Sequence, residues 1–449
     1  MTGSMTSRPG STGGTDAVVT TVAGVGTGGS DEDRDGRAVR TQLRRPTGIA
    51  VDAARKIVYI ADAGNHRVRR IQHGVITTVA GTGEAGSGGD GGAAVAARLA
   101  SPTGVAVDDN GILYIADRDN HRVRRVDHTG HITTVAGTGE PGPGGDGGAA
   151  VAARLASPTG VAVDDNGILY IADRDNHRVR RVDHTGHITT VAGGGAAVRD
   201  RLVEPTAIAV DRAGVVYVAE YGADRVSRIE PGGTVTTIAG RGVDDDRAGS
   251  RLCGPCGVAV GGDGDVYIAD TGGHRVRKLA AGVLRTVAGT GLPGRGELGG
   301  RAVTTPFDSP RGVAVDEFGN VFVADTGSHR IRKITLVDRV ATVGGDGQRP
   351  APGSIFPRPL TVRITREGRP VIAVPVTFTI TGDTTSGARF SESTPTRWVA
   401  RTNLAGEAAA ELTAGPTPGT VRIEAAVGIR VAAFTAAVES PRAAASPAR

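Results

Sequence analysis

The stretch PTGVAVDDNGILYIADRDNHRVRRVDHTGHITTVAG, residues 102–137, decides the fold. It contains four short runs rich in Val, Ile, Tyr and Thr, with turn-forming residues between them. The segments VDDNGIL (107–113) and DHTGHI (127–132) are typical of tight turns between antiparallel strands. The stretch therefore predicts a four-stranded antiparallel meander.

The same four runs recur along the 449-residue chain. The opening phrase of the repeat begins at Pro46, Pro102, Pro158, Pro205, Pro255 and Pro310. Each predicted sheet is too small to fold alone, and radial packing into a β-propeller buries such sheets best. Six repeats predict six blades. We expect residues 18–24 (VVTTVAG) to complete the sixth blade, and residues 339–345 (RVATVGG) to be an exit strand or linker.

The phrases PTGVAVD, YIADRDNHRVRRVD and ITTVAG resemble the NHL repeat, which is named for an Asn-His-Leu triplet in its third strand. Here the triplet reads Asn120-His121-Arg122, so its third letter differs. The fourth repeat departs further, because Glu220 and Asp224 replace the aspartate and the histidine. The resemblance covers residues 18–345. It implies a six-bladed propeller that serves as a binding platform for protein or RNA, and a few propellers of this kind are lyases.

The last quarter of the chain lacks the repeat. After a Pro/Gly-rich linker at 346–355, the segments VPVTFTITG, TNLAGEAAAEL and GPTPGTVRIEAAV resemble a bacterial Ig-like domain of the invasin/intimin type (Big-1) over 356–439. That resemblance implies a spacer or adhesive module. The expected fold class is all-β: a six-bladed NHL-type β-propeller followed by a small Ig-like β-sandwich. Residues 1–17 and 440–449 are predicted to be disordered.

Aspartate and histidine flank the turn before the third strand in most repeats. A feature repeated in five of six repeats is better explained by the fold than by one active site. In each repeat the carboxylate can accept turn N–H groups or the imidazole. We therefore interpret these pairs as structural: Asp62 and His66, Asp117 and His121, Asp173 and His177, Asp270 and His274, and Asp325 and His329.

Neither a metal nor a cofactor is predicted. By the resemblance, some lyase propellers bind zinc through histidines near the central axis. Here the innermost strand, GVAVD, contains no histidine, and no catalytic signature rises above chance. Arg122 and Arg124 should share the polar side of an outer strand and pair with acids of neighbouring blades.

The charge balance argues against a polyanion-binding protein. Residues 1–345 carry 40 basic and 39 acidic residues, a net charge of +1, and aromatic residues make up 3% of the whole chain. The exposed features on the predicted loop face are the glycine-rich loops 81–102 and 137–158. Their charged residues are the candidate partner-facing groups: Asp90, Arg98, Asp146 and Arg154.

The tetrapeptide CGPC, residues 253–256, matches the active-site sequence of thioredoxin-like oxidoreductases. That chemistry needs a helix N-terminus after a strand, whereas this segment enters the first strand of a repeat. We therefore expect Cys253 and Cys256 to be a buried pair of thiols without a redox role.

These features predict a non-enzymatic binding or scaffold protein with a protein partner. One alternative is a propeller lyase or hydrolase with an unrecognised loop site. It would need a polar cluster at the channel mouth, which the apolar GVAVD strands do not supply. RNA binding is the other alternative. No signal peptide or membrane segment is evident, so we expect a cytoplasmic location, although an Ig-like domain would suit the cell surface or exterior. We expect the protein to be a monomer.

Overall fold

The computed structural model describes residues 16–29, 36–194, 202–242, 251–296, 301–366, 368–382, 387–390, 394, 396–428 and 430–439. These residues form two compact units. One is Val19–Thr335, and the other contains the described residues from Leu336 onwards, together with 16–18. Apart from Asp16 and Ala17, the segments predicted to be disordered lie outside the described residues. No helix in the described ranges is long and apolar enough to span a membrane.

The repeat region consists of short strands rich in β-branched residues. In chain order they are β1 (Asp16–Ala23), β2 (Gly36–Arg37), β3 (Pro46–Asp52), β4 (Ile57–Asp62), β5 (Arg67–Gln72), β6 (Val75–Ala80), β7 (Pro102–Val107), β8 (Leu113–Asp117), β9 (Arg122–Val126), β10 (Ile132–Ala136), β11 (Pro158–Val163), β12 (Leu169–Asp173), β13 (Arg178–Val182), β14 (Ile188–Gly193), β15 (Pro205–Val210), β16 (Val216–Glu220), β17 (Arg225–Ile229), β18 (Val235–Gly240), β19 (Pro255–Val260), β20 (Val266–Asp270), β21 (Arg275–Ala280), β22 (Val283–Ala288), β23 (Pro310–Val315), β24 (Val321–Asp325) and β25 (Arg330–Val337).

Short 3-10 helices join several of these strands. They are Ala38–Arg40, Ala63–Asn65, Ala94–Ala96, Arg118–Asn120, Ala150–Ala152, Arg174–Asn176, Tyr221–Ala223 and Ala302–Thr304.

Repeats 1 to 5 each form one antiparallel sheet with its strands in meander order, as the sequence predicted, and β1 completes the sheet of repeat 6. We number the sheets by repeat. Sheet 1 contains β3 to β6, with the short strand β2 beside β6. Sheets 2 to 5 contain β7–β10, β11–β14, β15–β18 and β19–β22, and sheet 6 contains β23, β24, β25 and β1.

The six sheets are arranged in a ring around their first strands. β3 contacts β7, and the contacts continue through β11, β15, β19 and β23, which contacts β3. This arrangement of mostly four-stranded sheets is consistent with a β-propeller. Glycine after the opening Pro-Thr allows the close approach: a Cβ on Gly48 or Gly104 would overlap the backbone of the next sheet's first strand.

Strand β1 is the outer strand of sheet 6, hydrogen-bonded to β25, as predicted for residues 18–24. Gly24, just after β1, has a φ of +92°, and a Cβ there would overlap the carbonyl oxygen of His329. Gly137 lies in the same way against His121 in sheet 2. The segment that was predicted to be an exit strand or linker forms β26 (Arg339–Gly344), which pairs with β27 (Leu360–Arg366) in the other unit. β26 therefore belongs to the unit that contains the residues from Leu336 onwards.

The C-terminal unit contains two antiparallel sheets around one apolar core. Its remaining strands are β28 (Arg369–Pro370), β29 (Pro375–Gly382), β30 (Arg397–Arg401), β31 (Glu407–Ala410), β32 (Gly419–Val427) and β33 (Arg430–Val438). One sheet has the order β26–β27–β28, with β31 also on β27, and the other has the order β30–β29–β32–β33. Alternate residues of β27, β29, β32 and β33 point into the core, where Phe378 contacts Phe390 and Phe434.

We expect Gly24→Ala to destabilise the repeat region, although β1 is far in sequence from the rest of sheet 6. The added Cβ meets a backbone oxygen, and an L-residue is strained at this φ, so the free energy of unfolding should fall by about 2 kcal/mol or more. Urea denaturation followed by circular dichroism measures the loss. Gly88→Ala is the control, because a Cβ at Gly88 has open space. Equal stability of the two variants would contradict the closing role of β1.

Candidate functional site

The aspartate at the end of the second strand holds the chain segment that enters the same sheet. Asp117 is buried, and its Oδ1 accepts a hydrogen bond from the backbone N–H of Ala100 at 2.7 Å. Its Oδ2 accepts one from Nδ2 of Asn120, also at 2.7 Å. Burial raises the pKa of this carboxyl, and these hydrogen bonds oppose the rise. The equivalent backbone bonds run from Arg44 to Asp62, Ala156 to Asp173, Cys253 to Asp270 and Asp308 to Asp325.

Arg124, on the third strand, is fully buried. Its Nη1 lies 3.4 Å from Oδ2 of Asp117, and its Nη2 lies 2.7 Å from Oδ1 of Asp90. The other oxygen of Asp90 accepts a hydrogen bond from the Thr134 hydroxyl at 2.7 Å. The sequence predicted acids of neighbouring blades as partners of Arg124; its partners are Asp117 of its own sheet and Asp90 in the loop that joins sheet 1 to sheet 2, and together they compensate its burial.

The same contacts fix the long loops that were predicted to face a partner. Asp90 and Asp146 anchor their loops through the buried arginines of the following sheets. Arg98 and Arg154 are exposed, and Arg98 pairs with Glu84 at 2.7 Å. Of the predicted loop residues, the aspartates are therefore occupied by structural contacts, whereas the arginines present their side chains to solvent.

The histidine of each turn bonds the next sheet, not the aspartate of its own turn. His121 follows the 3-10 helix Arg118–Asn120 and has a left-handed φ of 53°. Its Nδ1 accepts the backbone N–H of Ser157 at 3.0 Å. Equivalent bonds run from Ser101 to His66, Glu204 to His177, Ser309 to His274 and Arg45 to His329. Because Arg45 precedes sheet 1 and His329 belongs to sheet 6, these bonds continue around the ring.

Sheet 4 makes the same contacts with different residues. Glu220 Oε2 accepts the backbone N–H of Val203 at 2.9 Å, and Asp224 Oδ1 accepts that of Gly254 at 2.6 Å. The hydroxyl of Ser227, which stands at the buried arginine position, donates to Glu220. The repeat that departs furthest from the family pattern therefore keeps its bonding geometry.

Threonine hydroxyls form a second set of bonds between sheets. Thr47 donates to the carbonyl of Thr103, and Thr103 donates to that of Thr159, each at 3.0 Å. Thr159 and Thr206 continue the series, by bonds of 3.2 Å to the carbonyls of Pro205 and Pro255. Each of these threonines follows the proline that opens its repeat.

Sheets 5 and 6 make this bond from another position, because Cys256 and Arg311 follow their opening prolines. Thr271 and Thr326, each just after the second-strand aspartate, donate at 2.6 Å to the carbonyls of the next repeat's proline, Pro310 and Pro46. At that position sheets 1 to 4 have Ala63, Arg118, Arg174 and Tyr221. Each repeat thus needs one threonine at either position, and the other position can carry a different side chain.

Five of the six positions that do not carry the bonding threonine border a central cavity of about 310 Å³, which is lined by the first strands of all six sheets; the sixth position is Ala63. Besides the threonines, its polar lining side chains are Arg45, Arg118, Arg174, Tyr221, Cys256 and Arg311, which we call the mouth cluster. The expectation that the channel mouth lacks a polar cluster was wrong. The polar residues lie on either side of the apolar GVAV segments, so the composition of those segments alone does not reveal them.

The mouth cluster carries more positive charge than its acidic neighbours neutralise. Arg174 pairs with Glu204 at 2.7 Å, and Nε of Arg118 lies 3.7 Å from Asp119. Neither of the cluster's other two arginines has an ion-pair partner among the described residues. The cavity lining contains no aspartate or glutamate. This end of the cavity is therefore suited to attract an anion.

The two cysteines differ in environment. Both are free thiols, but Cys253 is exposed, so the expectation of a buried pair was wrong. Cys256 borders the cavity, and burial raises the pKa of its thiol while Arg311 opposes that rise. The thiol form, which is a weak nucleophile, therefore prevails at neutral pH.

The lining of the cavity offers a restricted set of chemical groups. Its lining has arginine, threonine, tyrosine and cysteine groups, but no carboxylate or imidazole that could act as a general acid or base near neutral pH. In the part of the chain that the structure describes, no group of three or more His, Cys, Asp or Glu side chains is placed to hold a metal ion.

Comparisons with known proteins agree with the repeat geometry. Residues 43–71, 252–279 and 307–334 match the NHL repeat, and residues 83–142 and 139–195 match the Teneurin NHL domain. This chain contains NHL repeats. The NHL-type, propeller-like fold predicted from the sequence is thereby supported.

The similar curated proteins are much longer than the matched region. Protein SUPPRESSOR OF QUENCHING 1, chloroplastic, from Arabidopsis thaliana is 32% identical over 152 residues, which cover 32% of this chain and 14% of that protein. NHL repeat-containing protein 2 from Gallus gallus is 35% identical over 98 residues, which cover 21% of this chain and 13% of that protein. Teneurin-3 from Mus musculus is 40% identical over 96 residues, covering 18% and 4%. The NHL repeats therefore match a small part of each relative.

Two solved structures from Bacteroides thetaiotaomicron share the fold. A structural genomics protein of unknown function has a TM-score of 0.54 at 20% identity and covers 71% of this chain and 76% of its own. An auxiliary nutrient binding protein has a TM-score of 0.52 at 18% identity, and the match covers 72% of this chain and 77% of that protein. At this identity the likeness shows the fold alone.

The two threonine positions should be interchangeable. Thr326→Ala leaves the Pro46 carbonyl without its donor, so we expect the free energy of unfolding to fall by about 1–2 kcal/mol. Adding Arg311→Thr supplies a hydroxyl at the position used by sheets 1 to 4, and should recover most of that loss. Urea denaturation of both single variants and the double variant measures the coupling. Simple additivity would contradict the exchange, and Thr271→Ala with Cys256→Thr repeats the test in sheet 5.

The bond from Arg45 to His329 should make stability depend on pH. Burial, and then Arg295 and Arg45, lower the pKa of His329 below its usual value. As the pH falls below about 6.5, His329 therefore binds a proton in the unfolded state before it does so in the folded state. The free energy of unfolding decreases as the pH falls through the pKa of the folded state. Protonation of Nδ1 also removes the acceptor. Asp308, which raises this pKa, and Arg44, which lowers it, are the other charges that act on the ring.

His329→Asn is the matched variant, because its amide oxygen can accept the same N–H, tolerates a positive φ and does not titrate. Between pH 8 and about 5, thermal unfolding should show a smaller loss of stability for this variant than for the wild type. Parallel pH curves for the two proteins would rule out the role of His329.

Proposed function

We propose that this chain is a non-enzymatic binding protein, in which a six-bladed NHL propeller presents the face around the mouth cluster to a protein partner. One observation carries the proposal. The residues that bond the sheets serve the same role in all six repeats, whereas the side chains that border the cavity beside them are arginine in sheets 2, 3 and 6, tyrosine in sheet 4 and cysteine in sheet 5. A surface that varies on a constant scaffold is typical of recognition.

The composition of this face favours a protein partner. Tyr221 is 43% exposed at the mouth, next to several arginines. Tyrosine and arginine are enriched among the residues that dominate protein–protein binding energy. The exposed loop residue Arg154 adds positive charge to that of the mouth cluster, so the partner surface should be acidic.

The C-terminal unit supports the second part of the proposal, that an Ig-like sandwich of the Big-1 type extends or tethers the propeller. Its two antiparallel sheets share one core, and inward-facing residues alternate with exposed residues along β32 and β33. These properties suit a spacer or an adhesive module.

An enzymatic function is the alternative. The polar mouth cluster is the feature that such a function would need, and its arginines could orient an anionic substrate. Binding remains the preferred function, because the cavity lining offers no acid or base for proton transfer.

Affinity capture tests the platform. We expect tagged protein to retain a specific protein partner from native lysate or culture medium after nuclease treatment, and Tyr221→Ala to reduce its recovery at least about tenfold, since interface tyrosines often dominate binding. This substitution installs the residue that sheet 1 has at Ala63. Arg212→Ala is the control, since Arg212 is exposed in the turn at the opposite end of sheet 4. Loss of every partner after nuclease treatment would favour RNA binding instead.

A further inference from the structure

The arginine side chains of the mouth cluster take no part in the side-chain-to-backbone hydrogen bonds that join the sheets, although Arg174 also forms an ion pair with Glu204, which leads into sheet 4. Arg118 and Arg174 stand where Thr271 and Thr326 make the bond in sheets 5 and 6. Arg311 stands where threonine makes it in sheets 1 to 4. The charges of Arg118 and Arg311 are therefore not explained by the bonds that join the sheets.

The four arginines come from four consecutive sheets of the six in the ring. Arg311 comes from sheet 6, Arg45 precedes sheet 1, and Arg118 and Arg174 come from sheets 2 and 3, which are consecutive in the ring. Sheets 4 and 5 supply uncharged side chains, from tyrosine and cysteine. The mouth thus has a cationic arc opposite an uncharged arc.

Much of this charge is available to a ligand. Glu204 neutralises Arg174. Asp119 approaches Arg118 only at Nε, and the side chain of Arg118 remains 39% exposed. Arg45 and Arg311 are exposed, with no ion-pair partner in the described part of the chain. Guanidinium groups pair with carboxylate and phosphate groups through two parallel hydrogen bonds.

The size of the cavity restricts the ligand. A volume of about 310 Å³ is at the lower end of the range for small-molecule sites. It accommodates a compact group with two or three negative charges, or the acidic end of a peptide. A nucleic-acid strand would need a series of stacking aromatics, and the mouth cluster contains a single tyrosine.

We propose that the mouth cluster is an anion-binding site for a compact polyvalent oxyanion, held by Arg45, Arg118 and Arg311. This inference rests on the proposed function, because it names the chemistry that the binding face recognises. The oxyanion is either a free polycarboxylate or phosphate compound, or an acidic segment of the protein partner.

Isothermal titration calorimetry of the full chain at low ionic strength tests the site. The probes are citrate, pyrophosphate, a peptide ending in three glutamates, and a single-stranded RNA oligonucleotide. We expect citrate, pyrophosphate or the peptide to bind, and binding to weaken as salt is added. Binding of citrate or pyrophosphate alone would identify a free anion as the source, and binding of the peptide alone would identify an acidic segment.

The variants keep the fold because each installs a residue from another repeat. Arg311→Thr copies Thr103, and Arg118→Ala copies Ala63. We expect either substitution to weaken binding about tenfold and the double substitution to weaken it much further, as for the loss of charged hydrogen bonds. Arg212→Ala, at the opposite end of sheet 4, should leave the affinity within about twofold, since screened distant charges contribute little.

Three results would overturn the anion site. They are no binding of the three small probes, binding that the double variant does not weaken, and arginine-dependent binding of the RNA alone. Failure of this site and failure of the platform are separable. If the partner is lost with Tyr221→Ala but retained by the double arginine variant, the protein-binding face stands and the anion site fails. If citrate binds through the arginines but no partner is captured, the anion site stands and the protein-binding face fails.

Discussion

Neighbouring repeat sheets are joined by hydrogen bonds from side chains to backbone, and the rest of the repeat region depends on them. An imidazole nitrogen or a carboxylate accepts an N–H of the next sheet, and a threonine hydroxyl donates to one of its carbonyls. The apolar contacts between sheets come from Val, Ile, Leu and Ala, with few aromatics. Such contacts stabilise the packing but specify position weakly, whereas backbone bonds fix the offset of each sheet from the next.

This constraint acts on geometry and not on residue identity. Sheet 4 replaces aspartate, histidine and arginine by Glu220, Asp224 and Ser227, and still satisfies the same backbone groups. The hydroxyl bond moves from one position to another between sheets 4 and 5 without being lost. A buried polar group left without its partner costs more than the bond itself contributes, so these substitutions are tolerated only together.

Much of the fold could be predicted from the sequence because its evidence is local and repeated. Alternating strands, tight turns and the recurring opening proline gave the meanders, and the spare segment at 18–24 predicted how sheet 6 is completed. The role of His121 could not be found locally, since its partner, Ser157, lies 36 residues later in another sheet. Arg124 was misplaced because alternation along a strand does not reveal that Asp90, from a distant loop, neutralises it. The mouth cluster was missed because the innermost strand was read without its flanking residues.

The exchange of threonine positions also explains how a recognition site can arise on a ring of repeats. If every repeat needed the same residue at both positions, the cavity mouth would have a uniform ring of small polar groups. Because one hydroxyl is sufficient, each repeat leaves one position next to the cavity without a structural duty. Five of these six positions line the cavity, at the start of a first strand or just after a second strand, and their side chains can change without loss of the hydroxyl bond. In this chain three of them, Arg118, Arg174 and Arg311, carry arginine, which places charge on one side of the mouth while the bonds that hold the sheets together remain satisfied.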